Sequence, residues 1–232
     1  MCGRFTLRAP GSMLAEQFLF TLPTSLPPQP RYNIAPSQPI LAIHQSPGST
    51  AREGIQLDWG LVPSWARDPG VGHRMINARA ETAHQKPSFR TAFRQRRCLV
   101  LADGYYEWHK RGGGIKAGYF HRRDHESLGF AGLWDSWQDA GQQQVLLTGT
   151  ILTTTPNELS RPIHDRMPVI LSSNNYQAWL DPGNQDPDRL RAMLVPCPDS
   201  QLSCRPVSSY VNNPRHDDER CISEAATEQE LF

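Results

Sequence analysis

The 232-residue sequence contains no Cys-x-x-Cys pair, and its five cysteines (2, 98, 197, 204 and 221) are an odd, scattered set. That argues against a disulfide framework and a structural zinc site, and for a reducing cytosol. No metal or cofactor is expected. No run of about 18 or more apolar residues occurs, so no membrane-spanning helix is expected. A charged segment followed by an apolar one is missing at the N-terminus, so no secretory signal is expected either. The glycine run Gly112-Gly113-Gly114 is not followed by Gly-Lys-Ser/Thr, which sets aside a phosphate-binding loop and leaves a flexible turn. Lysine is scarce, at three residues against 21 arginines. Guanidinium forks suit phosphate, although a GC-rich genome gives the same bias and is the simpler source. Internal repeats and linkers are also absent. The expectation is one domain over residues 1–225, long enough for a sizeable core, with 226–232 a frayed acidic tail.

Charge is present but unevenly placed. The net charge is +1, so the chain as a whole is no polycation. Between Arg74 and Arg123, however, twelve Lys/Arg stand against Glu81, Asp103 and Glu107, whereas from Asn212 to the end two arginines stand against six acids. The pattern fits a basic groove that attracts phosphates and an acidic tail that does not.

The opening Met1-Cys2-Gly3-Arg4-Phe5 carries the most reactive chemistry. A small residue after Met1 favours removal of the initiator, which would leave Cys2 as the N-terminus. Its α-amine (pKa roughly 7.7–8.0) and thiol (roughly 8.5) would then sit on adjacent carbons. Part of each is in its reactive form at neutral pH, whereas a lysine amine would first need its pKa lowered by burial. The amine can serve as base for its own thiol, as in N-terminal-nucleophile hydrolases. It can instead condense with an aldehyde to an imine, on which the thiol closes a five-membered thiazolidine. From these five residues alone, an ordinary start with a small second residue is the simpler reading.

Further along, period-two and period-3.6 patterns predict a mixed chain. After a strand-like opening, residues 11–20 read as a short helix with Ser12 as N-cap and Leu14 and Phe18 on one face. Residues 21–39 hold six prolines and read as an ordered loop carrying Arg31-Tyr32-Asn33-Ile34-Ala35-Pro36. Strands are predicted over 39–44 and 55–59, turning at Pro47-Gly48 and leading into an aromatic loop at Gly60-Leu61-Val62-Pro63-Ser64-Trp65. Asn77 and Arg79 share one side of an extended segment, which suits a phosphate or sugar; alternatively Asn77 caps a short helix and Arg79 pairs with Glu81. Residues 87–97 predict a helix with Phe89 and Phe93 inward and Arg90, Arg94 and Arg97 outward. The apolar run 98–102 predicts a buried central strand feeding Asp103-Gly104-Tyr105-Tyr106-Glu107-Trp108, where Gly104 marks a bulge or close backbone approach. Glu107, set between aromatics after a rigid strand, is placed where a carboxyl pKa rises, or else lies on an alternating strand surface. Further strands are predicted over 119–122, 128–134 and 145–154, and Thr155-Pro156-Asn157-Glu158 reads as a capping box opening a short helix. His164, between prolines and beside Asp165 and Arg166, is a better acid–base candidate than a lone histidine. Two short helices over 173–180 and 187–194 and an extended segment over 206–213 complete an α+β pattern.

Five motifs therefore stand in one order: Cys2-Gly3-Arg4-Phe5, Arg31-Tyr32-Asn33-Ile34-Ala35-Pro36, Asn77-Ala78-Arg79-Ala80-Glu81-Thr82, Asp103-Gly104-Tyr105-Tyr106-Glu107-Trp108 and His164-Asp165-Arg166-Met167-Pro168. The set, spanning residues 2 to about 215, closely resembles the SOS response-associated peptidase family, whose members shield abasic sites in single-stranded DNA by covalent crosslinking. The resemblance implies a single α+β domain with a strongly curved, barrel-like β core and short peripheral helices. It implies Cys2 as the crosslinking residue, with Asn77, Glu107 and His164 around it, and autoproteolytic loss of Met1. Arg4 and Arg79 are implied as phosphate contacts, and Pro36, Trp65 and Trp108 as stacking or wedging residues. Members can carry a second tryptophan after the one at Trp65; Ala66 stands there instead, a departure that bears on stacking and not on the chemistry. The implied partner is abasic single-stranded DNA, bound by a cytoplasmic, nucleoid-associated monomer. Two rival readings are an N-terminal-cysteine amidohydrolase or peptidase, and a noncovalent single-strand-binding module.

Overall fold

The apolar run 98–102 is buried on both faces, and its alternation divides the molecule: Cys98, Val100 and Ala102 join one hydrophobic cluster while Leu99 and Leu101 join another. This is seen in a computed structural model that describes residues 2–23, 29–111, 114–139 and 145–225. The expected tail at 226–232 and most of the Gly112-Gly113-Gly114 turn lie outside the described residues.

In chain order the strands are β1 (Arg4–Leu7), β2 (Phe20–Thr21), β3 (Arg31–Ile34), β4 (Pro39–Gln45), β5 (Arg52–Trp59), β6 (Asn77–Arg79), β7 (Arg97–Ala102), β8 (Gly104–Arg111), β9 (Gly114–Arg122), β10 (Leu128–Gln138), β11 (Val145–Thr154), β12 (Met167–Pro168) and β13 (Leu202–Val207). The helices are short: α1 (Gly11–Phe18), α2 (Ala80–Ala83), α3 (Arg90–Gln95), α4 (Tyr176–Leu180) and α5 (Pro187–Ala192).

Strands β5, β4, β7, β10 and β11 pair antiparallel in that order, and a parallel pairing of β11 with β5, Thr148 opposite Asp58, closes them into a barrel. A second sheet, ordered β13-β9-β8-β1-β3, sends Phe5, Tyr105 and Phe120 into the same cluster as the barrel's inward side chains Ala42, Leu57 and Val100. Helices α1, α3, α4 and α5 cover the barrel's other face with Leu14, Phe18, Phe93, Trp179 and Leu190. Each such side chain contributes roughly 1.5–3 kcal/mol by leaving water. The expected α+β fold, one domain with a strongly curved β core and short peripheral helices, is what the chain adopts.

Several local expectations are corrected. Helix α1 begins at Gly11 after Pro10, and no side chain caps it, so Ser12 is inside the first turn and not its N-cap. Strands β2 and β3 form at either end of the proline-rich loop where no regular structure was expected; β3 pairs with β1 through Phe5 and Ile34. Residues 155–163 form successive turns and no helix: Asn157 accepts from the Ser160 amide and hydroxyl, and Pro162 has no amide to continue a helical ladder. The extended stretch expected over 206–213 divides between β13 and a 3₁₀ turn at Ser209–Asn212. Arg97, expected outward, begins β7 and is 3% exposed. Its guanidinium donates to the carbonyls of Phe93, Arg94, Trp179, Asp181 and Asn184, tying α3 and the end of α4 to the barrel.

Candidate active site at the N-terminus

Register places the chemistry. Arg4 pairs with Tyr106 and Phe5 with Tyr105, so the chain leading into β1 runs alongside Glu107. Alternation on β8 turns Tyr105 and Glu107 inward and Tyr106 and Trp108 outward. Gly104, which opens β8, sits where an added Cβ would lie 2.5 Å from both the Phe120 carbonyl oxygen and the Tyr119 hydroxyl, so the close approach expected from sequence is real. Cys2 is 0% exposed in the inner cluster. Its carbonyl accepts a 2.8 Å hydrogen bond from Asn77 Nδ2. Asn77 is held by β6, which pairs with β11 through Ile151. The amide's other end, Oδ1, is buried with no hydrogen-bond partner among the described residues. Such an atom costs about 1–3 kcal/mol and marks a place where a polar group is still to arrive.

His164 reaches the same place by another route. Gly118 lies opposite Glu107, and the space its missing side chain leaves is approached by Ile163 Cδ1, 3.3 Å from an ideal Cβ. The next residue is His164. Arg166 fixes this loop: it forks onto Glu81 of α2 with two 2.8 Å bonds and donates to the Thr153 carbonyl of β11. Glu81 therefore pairs with Arg166 and not, as the alternative reading had it, with Arg79. The Arg166 amide donates to His164 Nδ1 at 3.0 Å, so neutral His164 carries its proton on Nε2. Asp165 lies 2.9 Å from the same Nδ1 and would accept from it in the charged form.

The electrostatics are those of a dry site. Burial pushes the Glu107 carboxyl up to about 7, with the positive charge at the chain's N-terminus opposing. Burial also raises the Cys2 thiol far above its usual range, and the charge of Glu107 adds to this. His164 is lowered, first by burial and then by the N-terminal charge, while Asp165 acts the other way. The thiol thus stays protonated unless a base takes its proton, and at neutral pH a substantial fraction of Glu107 is carboxylate.

Of the remaining predicted residues, Arg4, Pro36 and Trp108 are half-buried, whereas Trp65 and Arg79 are exposed. Arg4 stacks on Trp108 at 5.3 Å and donates to Asn33 Oδ1 and to the carbonyls of Val211 and Asn212. Trp108 Nε1 donates to Asn212 Oδ1 at 2.7 Å. Asn33 Nδ2 donates to the Val211, Asn213 and His216 carbonyls, and the Tyr32 and Asn33 amides donate to Asp217. Asn33, Asn212 and Asp217 form a brace that sequence reasoning missed; Asn212-Asn213-Pro214 carries a turn signal, but nothing local says what it grips. Pro36 is followed by Ser37 in the left-handed region (φ 68), whose hydroxyl meets His73 Nδ1 at 3.0 Å. Trp65 is 64% exposed on a turn pinned by Asp135 Oδ2 to the Ser64 amide and by Trp137 Nε1 to the Ala66 carbonyl. Arg79 is exposed where β6 ends. A mainly aliphatic cavity of about 360 Å³, lined by Leu14, Leu22 and Ile40 among others, holds none of the four central residues. Among the described residues no cluster of three or more His, Cys, Asp or Glu could hold a metal ion, and no helix is long and apolar enough to cross a membrane.

Against known proteins, the sequence matches the family model described as SOS response associated peptidase (SRAP) over residues 1–214. It is 44% identical over 226 residues to the abasic site processing protein YoqW of Bacillus subtilis (strain 168), covering 96% of this chain and 99% of that one. It is 34% identical over 224 residues to the abasic site processing protein HMCES of Gallus gallus, covering 84% of this chain and 66% of that one. Among solved structures, a Bordetella bronchiseptica protein superposes with a TM-score of 0.77 at 28% identity, over 89% of this chain and 100% of that one. A Bacteroides thetaiotaomicron protein gives 0.84 at 24% identity over 97% and 100%, a likeness of fold.

Proposed function

The chain belongs to the SOS response associated peptidase family, and from that premise we propose that it captures abasic sites in single-stranded DNA as a covalent adduct on Cys2. The observation that carries this reading is a buried cysteine at position 2, its carbonyl pinned by Asn77, beside a carboxyl group held near 7. The protein first removes Met1: water adds across the Met1–Cys2 bond, its hydroxyl going to the Met1 carboxyl and a proton to the Cys2 amine. The imidazolium form of His164 gives its Nε2 proton to the sugar ring oxygen as the hemiacetal hydroxyl loses its own proton to water, which opens the ring to the aldehyde. The neutral Cys2 amine attacks that carbon, Glu107 shuttles protons, and water leaves as the imine forms. The thiol, three bonds from the imine nitrogen, then closes the five-membered thiazolidine. Ring closure is intramolecular, with an effective molarity on the order of 10⁵ M or higher. Asn77 orients, its open Oδ1 accepting from the incoming sugar or from the freed amine.

Arg79 and Arg4 are assigned to phosphate, and Pro36, Trp65 and Trp108 to bases or the gap beside the lesion. Stacking on these residues in place of neighbouring bases gives the single-strand preference. The activity is lyase-like in its imine and peptidase-like only toward Met1. The protein acts as a monomer at damaged DNA in the nucleoid, and residues 1–225 form the working domain. The test is a denaturing gel with abasic, intact and tetrahydrofuran-containing oligonucleotides. A shifted band with the aldehyde-bearing oligonucleotide alone is expected. No shift with any of them, alongside amidase turnover, would favour the hydrolase reading; binding in native gels only would leave a noncovalent module.

A further inference from the structure

One buried polar group of this centre has no part in the steps above. Tyr105 lies on the inward face of β8, two residues before Glu107 and opposite Phe5. Its ring is held nearly parallel to Phe120 (4.9 Å, 8°) and edge-on to Phe130 (6.0 Å), and it is 0% exposed in the cluster that contains Cys2. Packing of this kind asks for a ring and has no use for a hydroxyl. Yet the hydroxyl is there, and it has no hydrogen-bond partner among the described residues. The two tyrosines buried on the other side of the same sheet are satisfied: Tyr106 donates to the Tyr32 carbonyl at 2.7 Å, and the Tyr119 hydroxyl meets Thr6 Oγ1 at 2.9 Å. Burial holds the Tyr105 phenol protonated far above the physiological range, and the charges that bear on it most are those of Cys2 and then Glu107. It is a donor that titration does not remove, placed where a sulfur anion has to form without water.

We propose that the Tyr105 hydroxyl donates a hydrogen bond to the Cys2 sulfur as the thiol gives up its proton, and so speeds closure of the thiazolidine ring. This rests on the aldehyde-capture reading above. In that step the thiol proton passes to the Glu107 carboxylate and a sulfur lone pair forms the C–S bond at the imine carbon. The C=N π pair moves to nitrogen, which takes the proton back from Glu107. No atom is lost and nothing is oxidised or reduced; Tyr105 keeps its own proton throughout.

The experiment uses Tyr105→Phe in the full chain lacking Met1, in single turnover with an oligonucleotide bearing one abasic site, quenched with and without borohydride. The melting temperature should be unchanged or higher, because an unpaired buried hydroxyl has been removed. Noncovalent affinity and the rate of borohydride-trapped imine formation should match wild type. The adduct that survives without reductant should form about 10- to 100-fold more slowly, the usual range for losing a hydrogen bond to a charged group, so that imine accumulates. Wild-type formation of that adduct with no imine build-up would overturn the proposal. A clear fall in melting temperature would also count against it, since the hydroxyl would then have a structural partner. If wild-type protein forms no adduct at all, the capture reading fails and this proposal falls with it, an outcome distinct from equal rates in the two proteins.

Discussion

Arg97 and the Cys2 centre are both polar features sunk into an aliphatic interior, and they are partnered in opposite ways. The Arg97 guanidinium, 3% exposed, is spent on five main-chain carbonyls, and burial lowers it only to about 10, so it stays charged. Around Asn33 and Arg4 the same rule holds: both ends of the amide are bonded and the guanidinium spans three partners. Around Cys2, Asn77 Oδ1 and the Tyr105 hydroxyl are buried and unbonded among the described residues, and Glu107 is pushed up to about 7. A satisfied buried group specifies structure; an unsatisfied one carries a cost that an arriving group can offset. The difference separates Arg97 from the Cys2 centre more sharply than exposure does, since both are buried, although single scaffold atoms such as Thr150 Oγ1 are also unbonded among the described residues.

The largest effect is expected from Cys2→Ala. The adduct that survives heating without reductant should be lost outright, while single-strand affinity stays within a few-fold. A borohydride-trapped imine on the alanine amine should persist. A heat-stable adduct from this variant would remove the thiol from the account.

On the scaffold side, Arg97→Met keeps apolar volume but strips five carbonyls of their donor. Chemical denaturation should show a loss of about 3–5 kcal/mol, with normal crosslinking per folded molecule. A loss below about 1 kcal/mol would mean that water or main-chain shifts replace the guanidinium, and the contrast would weaken.

Glu107→Gln should move rate and stability in opposite directions. Crosslinking should slow by about 10²-fold, on natural abasic sites and on an analogue locked as the open aldehyde alike. His164→Ala should slow the natural site much more than the analogue. A carboxyl raised in the folded state stabilises the fold at low pH and loses that contribution as pH rises through the folded value. The glutamine variant should therefore be more stable than wild type by roughly 3 kcal/mol above neutral pH, the gain fading as pH falls from about 7 toward 4.5. Equal stability at every pH would place Glu107 in a wetter setting than its burial implies.

The smallest effects separate the two arginines assigned to phosphate. Arg79→Ala should leave stability unchanged, weaken single-strand binding and reduce the salt slope by about 0.7. Arg4→Ala should lose stability as well, because its guanidinium also grips Asn33 and the carbonyls of Val211 and Asn212. Unchanged slopes for both would move the groove elsewhere.

What could be read in the sequence divides along the same line. Short apolar runs announced the barrel strands, because such patterning is local: residues 98–102 and 145–154 are where they were expected. The outward expectation for Arg97 failed because three of its five carbonyl partners, those of Trp179, Asp181 and Asn184, lie more than 80 residues away, beyond any local pattern. The grip of Asp217 on Tyr32 and Asn33 was hidden for the same reason, inside what reads as an acidic tail. Cys2, Asn77, Glu107 and His164 stood out in the sequence because each belongs to one of five motifs that stand in one order along the chain. Tyr105 was not: it stood inside a quoted motif as one more aromatic, and only the missing partner of its hydroxyl distinguishes it.

The central claim is that the N-terminal residue itself forms the covalent bond. Peptide mapping by mass spectrometry of the adduct, after digestion of protein and DNA, tests this most directly. The account predicts one modified peptide, Cys2-Gly3-Arg4, without Met1, heavier by the sugar remnant less one water and unchanged by borohydride treatment. An adduct on a lysine peptide, or on a peptide that still carries Met1, would contradict it.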